Sequence, residues 1–493
     1  MRSAGTGSRK PRPSSWRWWL AVLAGLGGAR VFLNASAFPL FCNVDEPLHY
    51  DMVVKYASGR LPARPELISG EAASVIAEYA SWEYLNEPGP GVPKEELTPP
   101  WRLPPATRDR VVGARFRHWT GVVNGESLEP PAYCVVAAGW LKAGEWLGWS
   151  GARGAFWIRW LGALVVAAVI GLAGMALRGP FAGRPMVLVG VPLLLATWPQ
   201  DLFASINDGV TMALWGAAAF LLIAKSMDAR RWIVPASAGG ACAGLAMLSS
   251  FAAAPAALAL CGMPLLAGRP WKRMWRRAAV AAAFAAVPVA GWLVRNLAVA
   301  GHLTGMGDKA ALIGWTRLPL SALFVHPVFT APGIWVFLKT LSATFWRGEF
   351  AWHGVPMAWL ALEGGLLALG AVALLGVLVP ARRPGPARAM ELAGVAAAAL
   401  SFVYLGLLSA SFDFGSKFFP SREFPFLANG RLLTAAAVPI FLSFVAGLDR
   451  AAGRLSSRAR LAGVGALAAW FLAVDVLDWL SAAPSVYNWF HLP

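Results

Sequence analysis

The sequence predicts an all-α, polytopic integral membrane protein. It should have about eleven transmembrane helices and a large first extracytoplasmic loop carrying juxtamembrane helices. Three observations predict this. The chain of 493 residues is 57% hydrophobic and only 14% charged, and its apolar residues gather into runs near the ~20 residues that cross a ~30 Å bilayer. Its 25 Trp and 51 Gly exceed the share of a soluble domain of this size. The net charge of +17 does not form the patch a nucleic acid would need. The basic residues sit in short clusters between apolar runs, which is the positive-inside distribution.

Residues 1–15 are basic and rich in Pro, Gly and Ser, and read as a cytoplasmic tail. The first span is 16–34, headed by the interfacial Trp16, Trp18 and Trp19. No cleavable signal peptide is evident, so this span reads as a retained anchor. Residues 35–129 hold no run long enough to cross. Within them 71–85 has the pattern of an amphipathic helix, and Pro88, Pro90, Pro93, Pro99, Pro100, Pro104 and Pro105 punctuate the rest. The apolar run 130–148 is interrupted by Lys142 and Glu145. It is expected as a juxtamembrane or re-entrant helix that closes the first loop, 35–154. Spans follow at 155–177, 186–201, 208–225, 232–249, 251–267, 278–299, 357–380, 391–411, 430–448 and 462–480. Residues 16–480 thus form one transmembrane domain, and 481–493 an extracytoplasmic C-terminal tail.

Charge sets the orientation. The clusters are Arg178 with Arg184; Lys225, Arg230 and Arg231; Arg269, Lys272, Arg273, Arg276 and Arg277; Arg382, Arg383 and Arg388; and Arg450, Arg454, Arg458 and Arg460. All fall on the cytoplasmic side only if 130–148 does not cross. The alternative count adds one crossing and inverts everything downstream. In the favoured orientation every histidine lies on the outer side or at its membrane edge. The cysteines Cys42, Cys134, Cys242 and Cys261 lack metal-ligand spacing. Cys42 and Cys134 share the outer side, and unpaired thiols are expected there rather than a disulfide.

Four outward segments carry the candidate chemistry. Asp45, Glu46 and His49 follow the first span directly, where charge is costly unless it faces water or a site. Glu129-Pro130-Pro131-Ala132-Tyr133 opens the juxtamembrane helix. Asn207-Asp208 opens a span, where a helix N-cap is the structural alternative. Arg295-Asn296 closes a span, where snorkelling is the structural alternative.

In this order, together with Trp292 to Asn296 and Gly430-Arg431-Leu432-Leu433, the motifs resemble those of the GT-C membrane glycosyltransferases. The likeness runs from about residue 16 to 450. It is greatest to a bacterial branch of predicted membrane proteins without an assigned substrate. Protein O-mannosyltransferases, the lipid A aminoarabinose transferase and the oligosaccharyltransferase catalytic subunit are more distant. The resemblance implies a sugar donor on a polyprenyl phosphate or pyrophosphate, transfer on the outer face of the bacterial cytoplasmic membrane, and inversion at the anomeric carbon. The acceptor would be a glycan, lipid or protein.

The resemblance further implies that Asp45 is the base, with Glu46 and His49 auxiliary, and that Asp208 is the second acid, beside Asn207. Tyr133 lies in the Pro-Pro element. Glu129 replaces a basic residue that contacts the donor phosphate in some relatives, which puts phosphate binding there in doubt. A metal occurs in some branches only and stays open. Arg295, Arg422 and Arg431 are outward candidates for the lipid phosphate, because a guanidinium matches phosphate bidentately. Trp315, Trp335, Trp346 and Trp352 stack on sugar or anchor at the interface.

Two rival functions remain. A lipid-linked glycan flippase would line several spans with charge, whereas these spans read as poor in charge, with Glu363 the main exception. A glycan polymerase or ligase would place its key loop late in the chain. The absence of an internal repeat speaks against a two-half transporter.

Overall fold

The computed structural model describes residues 13–42, 45–81, 83, 97–268, 270–353, 355–356, 360–379, 385–415 and 419–493. Asn43 and Val44 beside Asp45, most of the N-terminal tail, Trp82 and residues 84–85 of the expected amphipathic helix, Pro88, Pro90 and Pro93, and Arg269, Arg382 and Arg383 lie outside the described residues.

Helices dominate. The first, α1 (Pro13–Ala37), leads to a folded cap of α2 (Glu46–Ala57), α3 (Gly70–Tyr79), α4 (Pro105–Thr120) and α5 (Ala132–Trp146). Strand β1 (Glu66–Leu67) pairs antiparallel with β2 (Val123–Asn124), in the register Glu66↔Asn124. The cap is tied by a buried cluster. Lys55 binds Asp51 at 2.8 Å and the Leu67 carbonyl at 2.8 Å. Asp51 also accepts from the Ser69 amide at 2.8 Å and the Asn124 amide group at 2.7 Å. The helix expected at 71–85 begins where the pattern begins but ends at Tyr79, with Ala80 extended, and Ser69 caps it by accepting from the Ala72 amide.

Then come α6 (Gly151–Leu177), α7 (Pro185–Thr197), α8 (Gly209–Asp228), α9 (Ile233–Ser249), α10 (Ala254–Gly262) and α11 (Trp271–Ala300). The chain continues through α12 (Met306–Leu312), α13 (Ala331–Arg347), α14 (Leu360–Leu378), α15 (Pro386–Ala410), α16 (Ala437–Ala451) and α17 (Ser457–Ala482). Among the described residues, seven helices are long and apolar enough to cross a membrane, and four shorter apolar helices occupy the other expected span positions. Helix α5, at 15 residues, does not meet that criterion and runs unbroken through Lys142 and Glu145.

Small residues let the helices close up, as membrane helices require in the absence of a hydrophobic drive between them. A Cβ on Gly162 would stand 1.9 Å from the Phe203 carbonyl oxygen, and one on Gly216 2.0 Å from that of Ala435.

The expected outer loop between the spans 278–299 and 357–380 is refined by the structure: within it Leu320–Phe329 and Ala331–Arg347 together are apolar enough for a span and meet at a 70° bend, the form of a broken span or a re-entrant loop. Thr330 caps α13 through the Gly333 amide, and Pro332 follows in the first turn, so the chain breaks there. Each half is too short to register as a span alone. The span interiors are also less poor in charge than expected. Arg30 on α1 binds Asp475 on α17 at 2.6 Å, with Asn34 on the same oxygen at 2.7 Å, and Arg159 is buried in α6. Single charges inside long apolar runs are easily discounted in a sequence. Here they are locked in pairs.

Candidate functional site

The site forms where α1, α2, α5, α8, α13 and the turn before α16 meet. Its scaffold is Arg159. The Arg159 Nε and Nη2 bind the two Glu46 carboxylate oxygens at 2.6 and 2.7 Å. Further Arg159 N–H groups donate to the Phe38 and Pro39 carbonyls at 2.7 and 2.6 Å. Glu46 Oε1 also accepts from the Ile206 amide at 2.9 Å. One buried ion pair therefore fixes the end of α1, the start of α2 and the turn before α8. Glu46 has no exposed surface.

Asp45 stands next door with the opposite character. Its φ of 65° is left-handed, a region that Asp tolerates better than most residues. Its carbonyl starts α2 by accepting from Leu48 and His49, but its side chain makes no capping bond. Its carboxylate lies 3.8 Å from Arg431 Nη2 and is part-exposed. Backbone geometry thus aims the acid away from the helix and into the site.

Arg431 is the cation at the centre. Its Nη1 lies 3.4 Å from Glu349 Oε2, and Asp201 and Asp208 are also within electrostatic reach. Glu349 is oriented by the Asn429 amide group at 2.9 Å, and its own N–H donates to Asp201 at 2.9 Å. Asp201 is buried, and burial, reinforced by the neighbouring Glu349 charge, pushes its carboxyl up to about 6. Gly348, at φ 81°, allows this approach, since a Cβ there would stand 2.4 Å from the Asp201 carboxylate. Arg431 itself is placed by Gly430, whose N–H donates to Thr344 Oγ1 at 2.8 Å.

The wall opposite is aromatic and amide. The His49 and Tyr133 rings meet edge-on at 6.1 Å. The Tyr133 oxygen accepts from the Asn207 backbone N–H, and its ionisation is pushed well up by burial and then by nearby anionic groups. It remains a neutral donor. Asn207 Oδ1 accepts from the Gly209 amide at 3.0 Å and so caps α8. Asp208 makes no side-chain cap bond. The capping expected of this pair falls to Asn207 and leaves the Asp208 carboxylate uncommitted.

Asp45, Glu46, His49, Tyr133, Asn207, Asp208 and Arg431 therefore come together. The others do not join them. Glu129 binds Lys309 at 2.6 Å, and Lys309 also holds Glu126 at 2.9 Å. A lysine from another element thus supplies a cation where Glu129 replaced one. Arg295 donates to Asn296 at 3.0 Å and to the Pro62 carbonyl, and lies over the Trp292 ring. Arg422 is exposed on the segment 419–429.

Arg159, Asp201 and Glu349 are site residues that sequence reasoning missed. The one available signal was a charged residue inside an apolar run, at Arg159. Among the described residues no three His, Cys, Asp or Glu side chains converge to hold a metal. The group between Asp45 and Glu349 is the Arg431 guanidinium. All four cysteines are free, and burial pushes the Cys42 thiol up to about 12, which makes it unreactive.

An apolar groove of about 490 Å³ opens between α13, α14, α15 and α16, lined by Leu338, Trp346, Ala373, Phe402, Ile440 and Phe444. Trp346 lies three residues before Glu349, so groove and charged cluster are contiguous along one strand of chain.

Fold and site define a class first, that of a multi-pass integral membrane protein with a buried arginine–carboxylate centre at one end of its helices. The chain belongs to a specific family of this class, the predicted membrane proteins DUF2142, whose model matches residues 30–417. No curated protein matches it. Among solved structures, the apo Archaeoglobus fulgidus oligosaccharyltransferase is 14% identical, with a TM-score of 0.45 over 96% of this chain and 56% of that one. The archaeal oligosaccharyltransferase AglB from the same organism, in complex with an inhibitory peptide and a dolichol-phosphate, is also 14% identical. Its TM-score is 0.41 over 95% of this chain and 56% of that one. The chain thus spans about half the length of these structures.

Proposed function

We propose that the protein is a GT-C-type glycosyltransferase. It moves a sugar from a polyprenyl-phosphate donor to an extracytoplasmic glycan, lipid or protein, with inversion. The observation that carries this reading is the pairing of Asp45 with Arg431. The base is turned out of its helix cap, and the cation beside it is held loosely. At 3.4 and 3.8 Å from its carboxylates, Arg431 is farther than the ~2.7–2.9 Å of a committed charge-assisted bond. Its donors are available to an incoming phosphate.

The chemistry follows from the placement. Asp45 accepts the proton of the acceptor hydroxyl as the oxygen attacks the anomeric carbon. The bond from that carbon to the phosphate oxygen breaks, and Arg431 stabilises the charge on the departing lipid phosphate. Asp208 accepts hydrogen bonds from substrate hydroxyls. His49, Tyr133 and Asn207 form the wall that orients them. Glu46 acts through Arg159 by holding Asp45 in place. The apolar groove beside Trp346 takes the first isoprenoid units. The site faces outward from the bacterial cytoplasmic membrane, with residues 1–15 inside, 16–480 as the catalytic transmembrane domain and 481–493 outside.

The test is sugar transfer by reconstituted protein given a pool of polyprenyl-phosphate sugars, beside Asp45→Asn. Wild type should transfer, and the folded variant should fall by at least the ~10²-fold typical of a lost general base. Equal transfer by both would remove Asp45 from the chemistry. If neither transfers, a flipping assay on the same vesicles decides for the transporter instead.

A further inference from the structure

The ends of α7, α15, α16 and α17 far from Arg431 carry a second charged cluster that this reading leaves unused. Glu391 and Asp449 are both buried. Arg184 binds Glu391 at 2.5 Å and Asp449 at 2.9 Å. Arg388 binds Glu391 at 3.3 Å, Arg450 binds Glu391, and Arg460 binds Asp449. Four guanidinium groups thus face two carboxylates, and the cluster is net positive. Arg450 Nη1 and Arg460 Nε are shielded from solvent and have no hydrogen-bond partner among the described residues. Buried donors left in this state call for an acceptor.

Arg460 also lines the mouth of a groove of about 380 Å³ between α7, α14, α16 and α17, whose walls include Leu194, Leu369, Val445, Leu455 and Gly463. The rest of that lining is apolar. Arg454 and Arg458 stand exposed close by. An apolar channel with the unsatisfied Arg460 donor in its lining, beside a net-positive cluster, matches one kind of occupant: a hydrocarbon chain ending in an anion.

We propose that this groove binds an anionic phospholipid, with one acyl chain between the helices and the phosphodiester on Arg460 at the edge of the cluster. Planar guanidinium groups pair with phosphate oxygens in this way. The bound lipid gives the Arg460 donor an acceptor, offsets one of the cluster's two surplus positive charges and joins the helices that wall the groove. The site is independent of the proposed catalytic reaction.

The experiment uses the purified full-length protein in detergent. Retained lipid is counted by native mass spectrometry, and thermal unfolding is followed with phosphatidylglycerol, with phosphatidylcholine of the same chains, and with inorganic phosphate. The expected result is stabilisation and retention by phosphatidylglycerol, with a preference on the order of thirtyfold over phosphatidylcholine for two unbalanced charges. Inorganic phosphate should not reproduce it. Gly463→Phe separates groove from charge, because a Cβ on Gly463 meets nothing within 4 Å and the ring enters the channel. It should abolish the preference while leaving the protein folded. Arg460→Gln leaves Asp449 paired with Arg184 and should weaken retention about tenfold. Equal retention of the two lipids, an equal effect of inorganic phosphate, or retention unchanged by Gly463→Phe would each overturn the proposal.

Discussion

Neighbouring acids, Asp45 and Glu46, take opposite fates within one turn of chain. Glu46 is neutralised by Arg159 with two short bonds and no exposure, while Asp45 keeps a part-exposed carboxylate. Glu46→Gln should therefore destabilise the protein by roughly 3–5 kcal/mol, because it strands a buried guanidinium. A lowered thermal midpoint in detergent would register this, and Asp45→Asn should leave that midpoint near wild type. Asp201 adds a pH dependence. Burial raises its carboxyl from 3.8 to about 6 in the folded protein. Its contribution is full below about pH 4 and is lost as pH rises through about 6, a difference of roughly 3 kcal/mol. The midpoint of Asp201→Asn should vary less between pH 4.5 and 7.5 than that of wild type. Parallel curves would show that Asp201 does not titrate in that window.

At the scale of elements, the chain between Thr344 and Glu349 is pressed against the turn that carries Arg431. A Cβ on Gly430 would meet the Phe345 backbone nitrogen at 2.0 Å. Gly430→Ala should force these two elements apart, cost about 1–3 kcal/mol and move Arg431 off Asp45. Transfer activity should then fall further than the thermal midpoint alone accounts for. Much of the site was legible because Asp45, His49, Tyr133, Asp208 and Arg431 each stand where an apolar run begins or ends. Asp201 and Glu349 were not legible, since nothing local marks them and they become site residues only when α13 folds back. Arg295 shows the converse. Its place at the end of α11 looked like the others, but its N–H groups are committed to Asn296 and Pro62. The apolar pair at 320–347 is hard to see in the sequence because a proline-bearing bend splits it into two short runs.

For the whole molecule, the proposed orientation puts Arg422 outside and Arg454 inside, both exposed. In a background without cysteines, a membrane-impermeant maleimide should label Arg422→Cys on intact cells and Arg454→Cys only after permeabilisation. The reverse pattern would invert the topology.

The groove beside Trp346 has a rim of exposed apolar side chains at Leu338, Leu374 and Val403, so it opens sideways between helices. A molecule arriving that way diffuses in a plane. Its supply is set by its mole fraction among the surrounding lipids and not by its amount per litre. Detergent that swells the micelle pool would starve the groove as surely as withdrawing the ligand. The protein's output would then track the make-up of its membrane before it tracked anything dissolved around it.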